Sequence, residues 1–436
     1  MVRPRSLGLH LPVVRTDVVH EEEKHASEDV HQEPQERLVP PFAIDDERRD
    51  DVRPQKEEGG DVEKDDEQTT KKVLELPTDG LHVPSIESKV ELAYSNVLTM
   101  SFWTTLPRPI LVLAPLANVT DAAFRRIIAK YSRHVRKDGT LGGPDVFWTE
   151  FVSADGLIRA NEEGRKKLLA DLIYTDAERP IVAQLFTSDP THMEQAAKLC
   201  RELGFDGIDI NMGCPDRSVE RQGAGAALIK DRARAVEVFR AAKQGAQGLP
   251  VSVKTRIGYH KNELESWVPA LLNERPAALT IHARTRKEMS KVPARWEHVR
   301  EAVAMRNELQ EGLPARERTL ILGNGDVTGL QDAEAKAEES GADGVMIGRA
   351  IFGNPWLFDG TKGNISIEER LRVMVEHTRH FEELLPFKSF SIKKKHFKSY
   401  VGDFPGAREL RMQLMEAESG DEVEALVRAW IASHNA

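Results

Sequence analysis

Residues 319–351 read TLILGNGDVTGLQDAEAKAEESGADGVMIGRAI. An apolar run of strand length, TLILGNGDV (319–327), leads into the amphipathic stretch GLQDAEAKAEESGA and then into a second apolar run, GVMIGRAI (344–351). Strand, helix and strand in that order predict two parallel strands joined by a right-handed crossover. Six more apolar runs precede them: ILVLAP (110–115), DVFWTEF (145–151), IVAQLF (181–186), GIDINM (207–212), VSVKTRI (251–257) and ALTIHAR (278–284). Most are separated by amphipathic helical stretches such as DPTHMEQAAKLCRELG. Eight strand units between residues 110 and 351 fit an α/β fold, the (β/α)8 TIM barrel. A doubly wound sheet is the competing architecture, but no G-x-G-x-x-G follows the first run.

The strand ends point the same way. In order they carry Pro115 with Leu116, Glu150, Gln184, Asn211 with Cys214, Lys254 with Arg256, His282 with Arg284, Asn324 with Gly325 and Asp326, and Gly348 with Arg349. Barrel active sites are built where strands end and βα loops begin. Polar residues at nearly every strand end therefore predict a concave polar cup around one ligand.

The remaining chain divides by composition. Residues 1–95 are rich in Glu, Asp, Gln, Lys and Pro, have no sustained apolar period, and read as a disordered acidic segment, with a short ordered piece near Val90–Leu98. Residues 1–91 carry 24 acidic and 13 basic side chains, leaving 47 acidic and 48 basic in 92–436. The net charge of -10 thus belongs to the N-terminal segment, and the rest can carry a basic surface for a polyanion. The catalytic barrel is expected over 105–360. Residues 366–436 have helical periodicity, open on the capping-box spacing Ser366–Glu369, and predict a small helical domain. No run of about 18 apolar residues predicts a membrane span. The opening MVRPRSLGLHLPVVR resembles a mitochondrial presequence only faintly, because Pro4 and Pro12 break it; the expected location is the cytoplasm.

The two cysteines cannot make a disulfide framework, and no Cys/His spacing suggests a metal site. Cys200, in AAKLCRELG, reads as a buried small apolar residue. Cys214 reads as a nucleophile with His282 and Asn324, or as a general acid. An ordinary thiol titrates near 8.5, which suits proton donation at pH 7 better than attack. Lys254 is either paired with a carboxylate in the barrel mouth or a donor to a ligand such as a flavin ring, whose reduced anionic form positive charge stabilises. His282 is either a satisfied core histidine or, among so many polar strand ends, a ligand contact. GNGDV and IGRA, after strands seven and eight, occupy the recurrent phosphate position of such barrels.

Together these residues resemble the tRNA-dihydrouridine synthases. The matching pieces are LAPLANVTDAAFR, VAQLF, DINMGCP followed by GAGAALI, VSVKTRIG, IHARTR, GNGDV and IGRAIFGNPW, in the family's order, with VGDFPGARELR in the helical region. The resemblance implies FMN atop the barrel, with Pro115, Leu116 and Ala117 beside its ring, Gln184 bonded to it, and Lys254 and His282 in contact. It implies Asn324, Gly325, Asp326, Gly348 and Arg349 on the phosphate side. It further implies that NADPH reduces the FMN, that a uridine flipped from tRNA receives hydride at C6, and that Cys214 protonates C5. Asn211 and Arg217 would contact the substrate, and Lys393, Lys394, Lys395 and Lys398 would grip the tRNA backbone. No obligate protein partner is implied. A barrel reducing a free pyrimidine or another small enone, and a catalytically silent RNA-binding protein, are the competing functions. Three segments depart from the common pattern: DRS (216–218), where many members have lysine, RKEMSKVPARW (286–296), which lacks the usual tyrosine and glycine, and HKNELESWVPALL (260–272), which is unlike the shortest members.

Overall fold

In the computed structural model the described residues are 101–136 and 139–434, so the expectations for residues 1–95 lie outside them. A short 3-10 turn, Phe102–Thr104, precedes β1, Ile110–Leu113. Helix α1, Ala122–Ser132, follows, then a small antiparallel hairpin of β2, His134–Val135, and β3, Leu141–Gly142. The second barrel position is split between β4, Phe147–Trp148, and β5, Val152–Ser153, both paired with β6, Ile181–Phe186. Between them and β6 run α2, Ala154–Arg159, and α3, Glu162–Ala170. Then come α4, Pro190–Glu202; β7, Gly207–Met212; α5, Arg217–Arg221; α6, Arg232–Ala246; and β8, Val251–Arg256. The barrel ends with α7, Leu264–Leu272; β9, Ala278–His282; α8, Glu297–Leu309; β10, Leu320–Asn324; α9, Leu330–Ser340; and β11, Gly344–Ile347.

The strands are parallel in the order β1-β11-β10-β9-β8-β7-β6-β4. The ring closes between the first and second positions: Asp145 N–H donates to Leu111 O at 2.8 Å, and Leu111 N–H donates to the Asp145 carboxylate at 2.7 Å. All eight expected strands are present, as a TIM barrel with helices outside. The break in the second strand has a local cause. The Thr149 hydroxyl, not a backbone carbonyl, accepts from Gln184 N–H at 3.0 Å and donates to Glu150 O at 2.8 Å. The ladder resumes only at Val152.

Alternation along each strand sends one set of side chains to the helices and the other into the barrel. Ile208, Ile210 and Met212 of β7 join the outer core with Met193, Ala196, Ala197 and Cys200 of α4. The lower interior is apolar, filled by Ile110, Val112, Val146, Trp148, Val182, Leu320, Leu322 and Met346. Trp103, 2% exposed with its ring 5.9 Å from that of Trp148, plugs this end. The polar interior residues lie higher, toward the C-terminal ends of the strands.

The C-terminal region is helical: α10, Ile367–Leu384; α11, Ser391–Tyr400; α12, Ala407–Glu416; and α13, Gly420–His434. Ser366 caps α10 by accepting from Glu369 N–H at 3.0 Å, but the Glu369 carboxylate pairs with Lys362 instead of completing the expected box. The region packs on α1. Ile127 of α1 joins its core, and Lys130 and Tyr131 both donate to Glu376, at 2.7 and 2.6 Å.

Candidate active site

The register of the sheet brings the polar strand ends together. Asn211 on β7 lies beside Lys254 on β8; Arg256 lies beside His282 on β9; His282 lies beside Asn324 on β10. These are neighbouring inward positions at the C-terminal mouth of one barrel.

Cys214 sits on the turn that follows β7, and Asn211 makes that turn. Its Oδ1 accepts from Gly213 N–H at 3.1 Å and Cys214 N–H at 2.8 Å. Ala226 N–H in turn donates to Cys214 O at 2.9 Å, tying in the glycine-rich loop. Gly225 there has φ +60°, and a Cβ would stand 2.8 Å from Cys214 O, so the loop needs glycine to lie this close. The thiol is half-buried, and burial pushes its pKa up to about 11; charged Arg256 and Lys254 pull the other way. At neutral pH it is a protonated acid. Cys200 is fully buried on α4, and desolvation raises its thiol to about 12, as expected of a core residue.

Lys254 is half-buried, and its ammonium makes one hydrogen bond among the described residues, to Asn324 Oδ1 at 3.2 Å. Burial, then the neighbouring Arg256, lowers it to about 8; Asp209 and Cys214 oppose that shift. His282 is kept neutral, its pKa held far below the usual imidazole range first by burial and then by Arg256, Lys254, Arg284 and Arg349. Its Nε2 lies 3.1 Å from the Arg284 guanidinium, which can only donate, so Nε2 accepts and the ring proton is on Nδ1. Lys254, Arg256, Arg284 and Arg349 all raise the positive potential around this imidazole, with Asp209 acting on Lys254 and Asp326 pairing with Arg284 and Arg349 in the other direction.

At strands seven and eight, Asn324 Nδ2 donates to Met346 O at 2.8 Å. Asp326 has φ +49° and its carboxylate accepts from Arg284, from Arg349 at 2.8 Å and from Ala294 N–H at 2.8 Å. It therefore anchors two arginines, and Arg349 itself remains exposed. A Cβ on Gly348 would make ordinary contact with Ala114 at 3.9 Å and Leu116 at 4.0 Å, so the backbone there is uncrowded. Pro115 and Leu116 are half-buried and Ala117 exposed at the first strand's end. A lysine with spare donors and an exposed arginine held by Asp326 fit a ring with an anionic tail, so these residues suit the expected flavin and its phosphate.

Two expectations need correction, those for Glu150 and Lys393. Glu150 does not enter the cup: it is 6% exposed and its carboxylate accepts from Lys388, beyond α10, at 2.7 Å, with Asp171 the second partner of that lysine at 2.6 Å. Gln184 is fully buried, its amide engaged by Asp209 and Asn211. Lys393 cannot grip a polyanion: it is 1% exposed and burial drives its pKa down. Lys394 and Lys395 are half-buried, and Lys398 and Arg217 are exposed. The departing segment 286–296 wraps onto the seventh strand's end, where Trp296 Nε1–H donates to Gly325 O at 2.9 Å. Its ring covers Gly323 so closely that a Cβ there would lie 2.2 Å from it. Sequence reasoning did not single out Asp209; its signal was a carboxylate at an inward phase of the apolar run GIDINM.

Asp155, Asp189 and His192 come close enough to hold a cation, but their atoms are already engaged. Asp189 caps α4, and Asp155 accepts from Thr187 at 2.7 Å and lies 2.5 Å from His192 Nδ1.

A family model described as Dihydrouridine synthase (Dus) matches residues 112–435. The chain belongs to this family. It is 40% identical over 336 residues to "Probable tRNA-dihydrouridine synthase 2" of Bacillus subtilis (strain 168), covering 76% of this chain and 96% of that protein. It is 38% identical over 342 residues to "Probable tRNA-dihydrouridine synthase" of Staphylococcus epidermidis (strain ATCC 35984), covering 77% and 98%. Among solved structures, an old yellow enzyme homologue from Zymomonas mobilis is similar with a TM-score of 0.38 and 14% identity, over 60% of this chain and 92% of that one, a likeness too weak to bear on the fold. As a family member the chain is an enzyme, an oxidoreductase acting on a CH–CH bond. No helix among the described residues is long and apolar enough to cross a membrane.

Proposed function

We propose that this chain reduces the C5–C6 double bond of specific uridines in tRNA, with FMN as its bound cofactor and NADPH as the source of electrons. One observation carries the reading: a protonated, half-buried thiol, Cys214, is fixed on a strand-end turn beside Lys254 and within the field of Arg256. A reduction across a carbon–carbon double bond needs a hydride at one carbon and a proton at the other. Bound FMN supplies hydride chemistry. Cys214 holds the proton, and C5 of the uracil is where it goes.

The other residues divide by position. Lys254 and His282 would hold the flavin ring, the ammonium supplying positive charge and the neutral imidazole a hydrogen-bonding group. Pro115, Leu116 and Ala117 would wall one edge. Asn324, Gly325, Gly348 and Arg349 would hold the phosphate, with Asp326 keeping Arg349 in place. Asn211 holds the acid's turn, and its remaining Nδ2 hydrogen is available to a uracil carbonyl. The base must leave its stack to reach the mouth. Arg217, at the start of α5, and Lys287 and Lys291, in the segment after β9, are exposed, and phosphate contacts from them would position the tRNA.

The test is direct. Purified protein should carry FMN, released on denaturation. Cys214→Ala should keep that FMN and lose roughly 10²–10⁴ in dihydrouridine formation, the range for losing a general acid. Flavin-free wild-type protein, or an undiminished variant, would overturn the reading.

A further inference from the structure

Beneath the mouth lies a row of hydrogen bonds with one direction. Asp209 is 1% exposed inside the barrel, between Gln184 and Ser252. Its carboxylate accepts from Ser252 Oγ at 2.6 Å and from Gln184 Nε2 at 2.6 Å. Gln184 Oε1 accepts from Asn211 Nδ2 at 3.0 Å. Asn211 Oδ1 accepts from the amides of Gly213 and Cys214. Gln184 is fully buried and Asn211 is 7% exposed, so water does not compete along the row.

An amide side chain can present either end, and only its surroundings choose. A carboxylate has no such freedom, because ionised it only accepts. Asp209 therefore obliges Gln184 to turn its NH₂ inward and its oxygen toward Asn211. That oxygen obliges Asn211 to turn its NH₂ back. The Asn211 oxygen is then left for the two backbone N–H groups of the turn. Reversal of the row would set the Asn211 NH₂ against those two donors, and both bonds to the turn would be lost.

We propose that Asp209 is a positioning residue that sets the direction of this row and thereby holds the turn bearing Cys214. Its consequence for turnover rests on the reading of Cys214 as the proton donor; its consequence for the turn does not. Asp209→Asn is nearly isosteric, yet it removes the carboxylate that fixes the inner end of the row, because an amide can present either end to Gln184 and leaves only the two turn amides to oppose reversal.

The experiment uses full-length protein and measures alkylation of Cys214 by iodoacetamide at fixed pH, with turnover, KM for tRNA and FMN content alongside. Cys200 is fully buried and does not report. Asp209→Asn should speed alkylation by roughly five- to a hundredfold, the range for losing two neutral hydrogen bonds. It should lower kcat while KM and FMN content stay within about twofold of wild type. The double variant Asp209→Asn with Gln184→Glu restores a fixed acceptor facing Asn211, and its alkylation should return to the wild-type rate. A wild-type alkylation rate in the single variant, or a faster rate that the double variant leaves unchanged, overturns the proposal. If the single variant does not fold, the wild-type chain carries the test. Lys254 is the charged group facing Asp209, and acidification turns the carboxyl into a donor able to reverse the row. The logarithm of the alkylation rate should then rise above the unit-slope thiolate line on passing below about pH 6; a straight line to pH 5 overturns it. Undiminished turnover in Cys214→Ala would refute the proposed proton donor alone, since alkylation reads the turn without reference to catalysis.

Discussion

Removing Lys388 should loosen the helical region from the barrel, and the size of the effect follows from what the lysine touches. Its ammonium lies 2.7 Å from Glu150 and 2.6 Å from Asp171, with side chains 13%, 7% and 21% exposed. Lys388→Met leaves the Glu150 carboxylate buried without its cation. Breaking a buried pair from one side costs about 3–5 kcal/mol, because the surviving charge stays desolvated. With a urea slope of about 3 kcal/mol per molar, the unfolding midpoint should fall by roughly 1–1.7 M. Adding Glu150→Gln removes the stranded charge and should recover most of the loss. The pH dependence has a definite sign. Burial already holds the Glu150 carboxyl above its ordinary value, and without Lys388 it rises further. The variant's deficit is therefore present above that raised folded value and shrinks as pH falls toward the ordinary glutamate range. Urea titrations at pH 7 and pH 5, followed by tryptophan fluorescence, read all of this. A single variant within about 1 kcal/mol of wild type, or a double variant no better than the single, would refute the pairing as the junction's main electrostatic contact.

Gly225→Ala should cost about 1–3 kcal/mol in stability, since it adds a Cβ at φ +60° against Cys214 O; it should also lower turnover, and an unchanged melting temperature and rate would contradict the close approach. Between α1, α10 and α11, His377 and His396 are fully buried and held neutral well below the ordinary imidazole value, by desolvation first. The unfolded chain protonates these rings below about pH 6.5 and the folded one does not. Stability should therefore fall as pH drops below that value, and replacing both rings with Phe should flatten the fall in a urea series. Lys393→Met should be neutral or stabilising near pH 7, because burial already disfavours the charged amine; tRNA affinity should be unchanged, where a phosphate-gripping lysine would weaken it and reduce its salt dependence.

The barrel was legible because each strand unit declares itself locally: an apolar run, a polar end, then an amphipathic helix. The mouth was legible for the same reason, since parallel register carries Asn211, Lys254, His282 and Asn324 to one face. What local reading could not see is pairing across distance. Glu150 looks like another strand-end ligand until Lys388, 238 residues away, takes it out of the cup. The lysine run 393–395 looks like one basic face, yet α11 turns Lys393 inward beneath Phe381. Ser366 and Glu369 have capping-box spacing, but Lys362 competes for the glutamate. Asp209 was passed over because its partners lie on two other strands. The segments DRS and RKEMSKVPARW, which depart from the family pattern, border the site without breaking it: Asp216 caps α5 and Trp296 covers Gly323.

The central claim is that this barrel reduces uridine within tRNA. The most direct measurement incubates purified full-length protein and NADPH with an unmodified tRNA transcript, then digests the product and weighs each nucleoside. The account predicts that particular uridines gain two hydrogens, that free uridine is not reduced at a comparable rate, and that Cys214→Ala forms little product. A transcript that comes back unchanged from FMN-loaded wild-type enzyme, or free pyrimidine reduced faster than the tRNA, would contradict it.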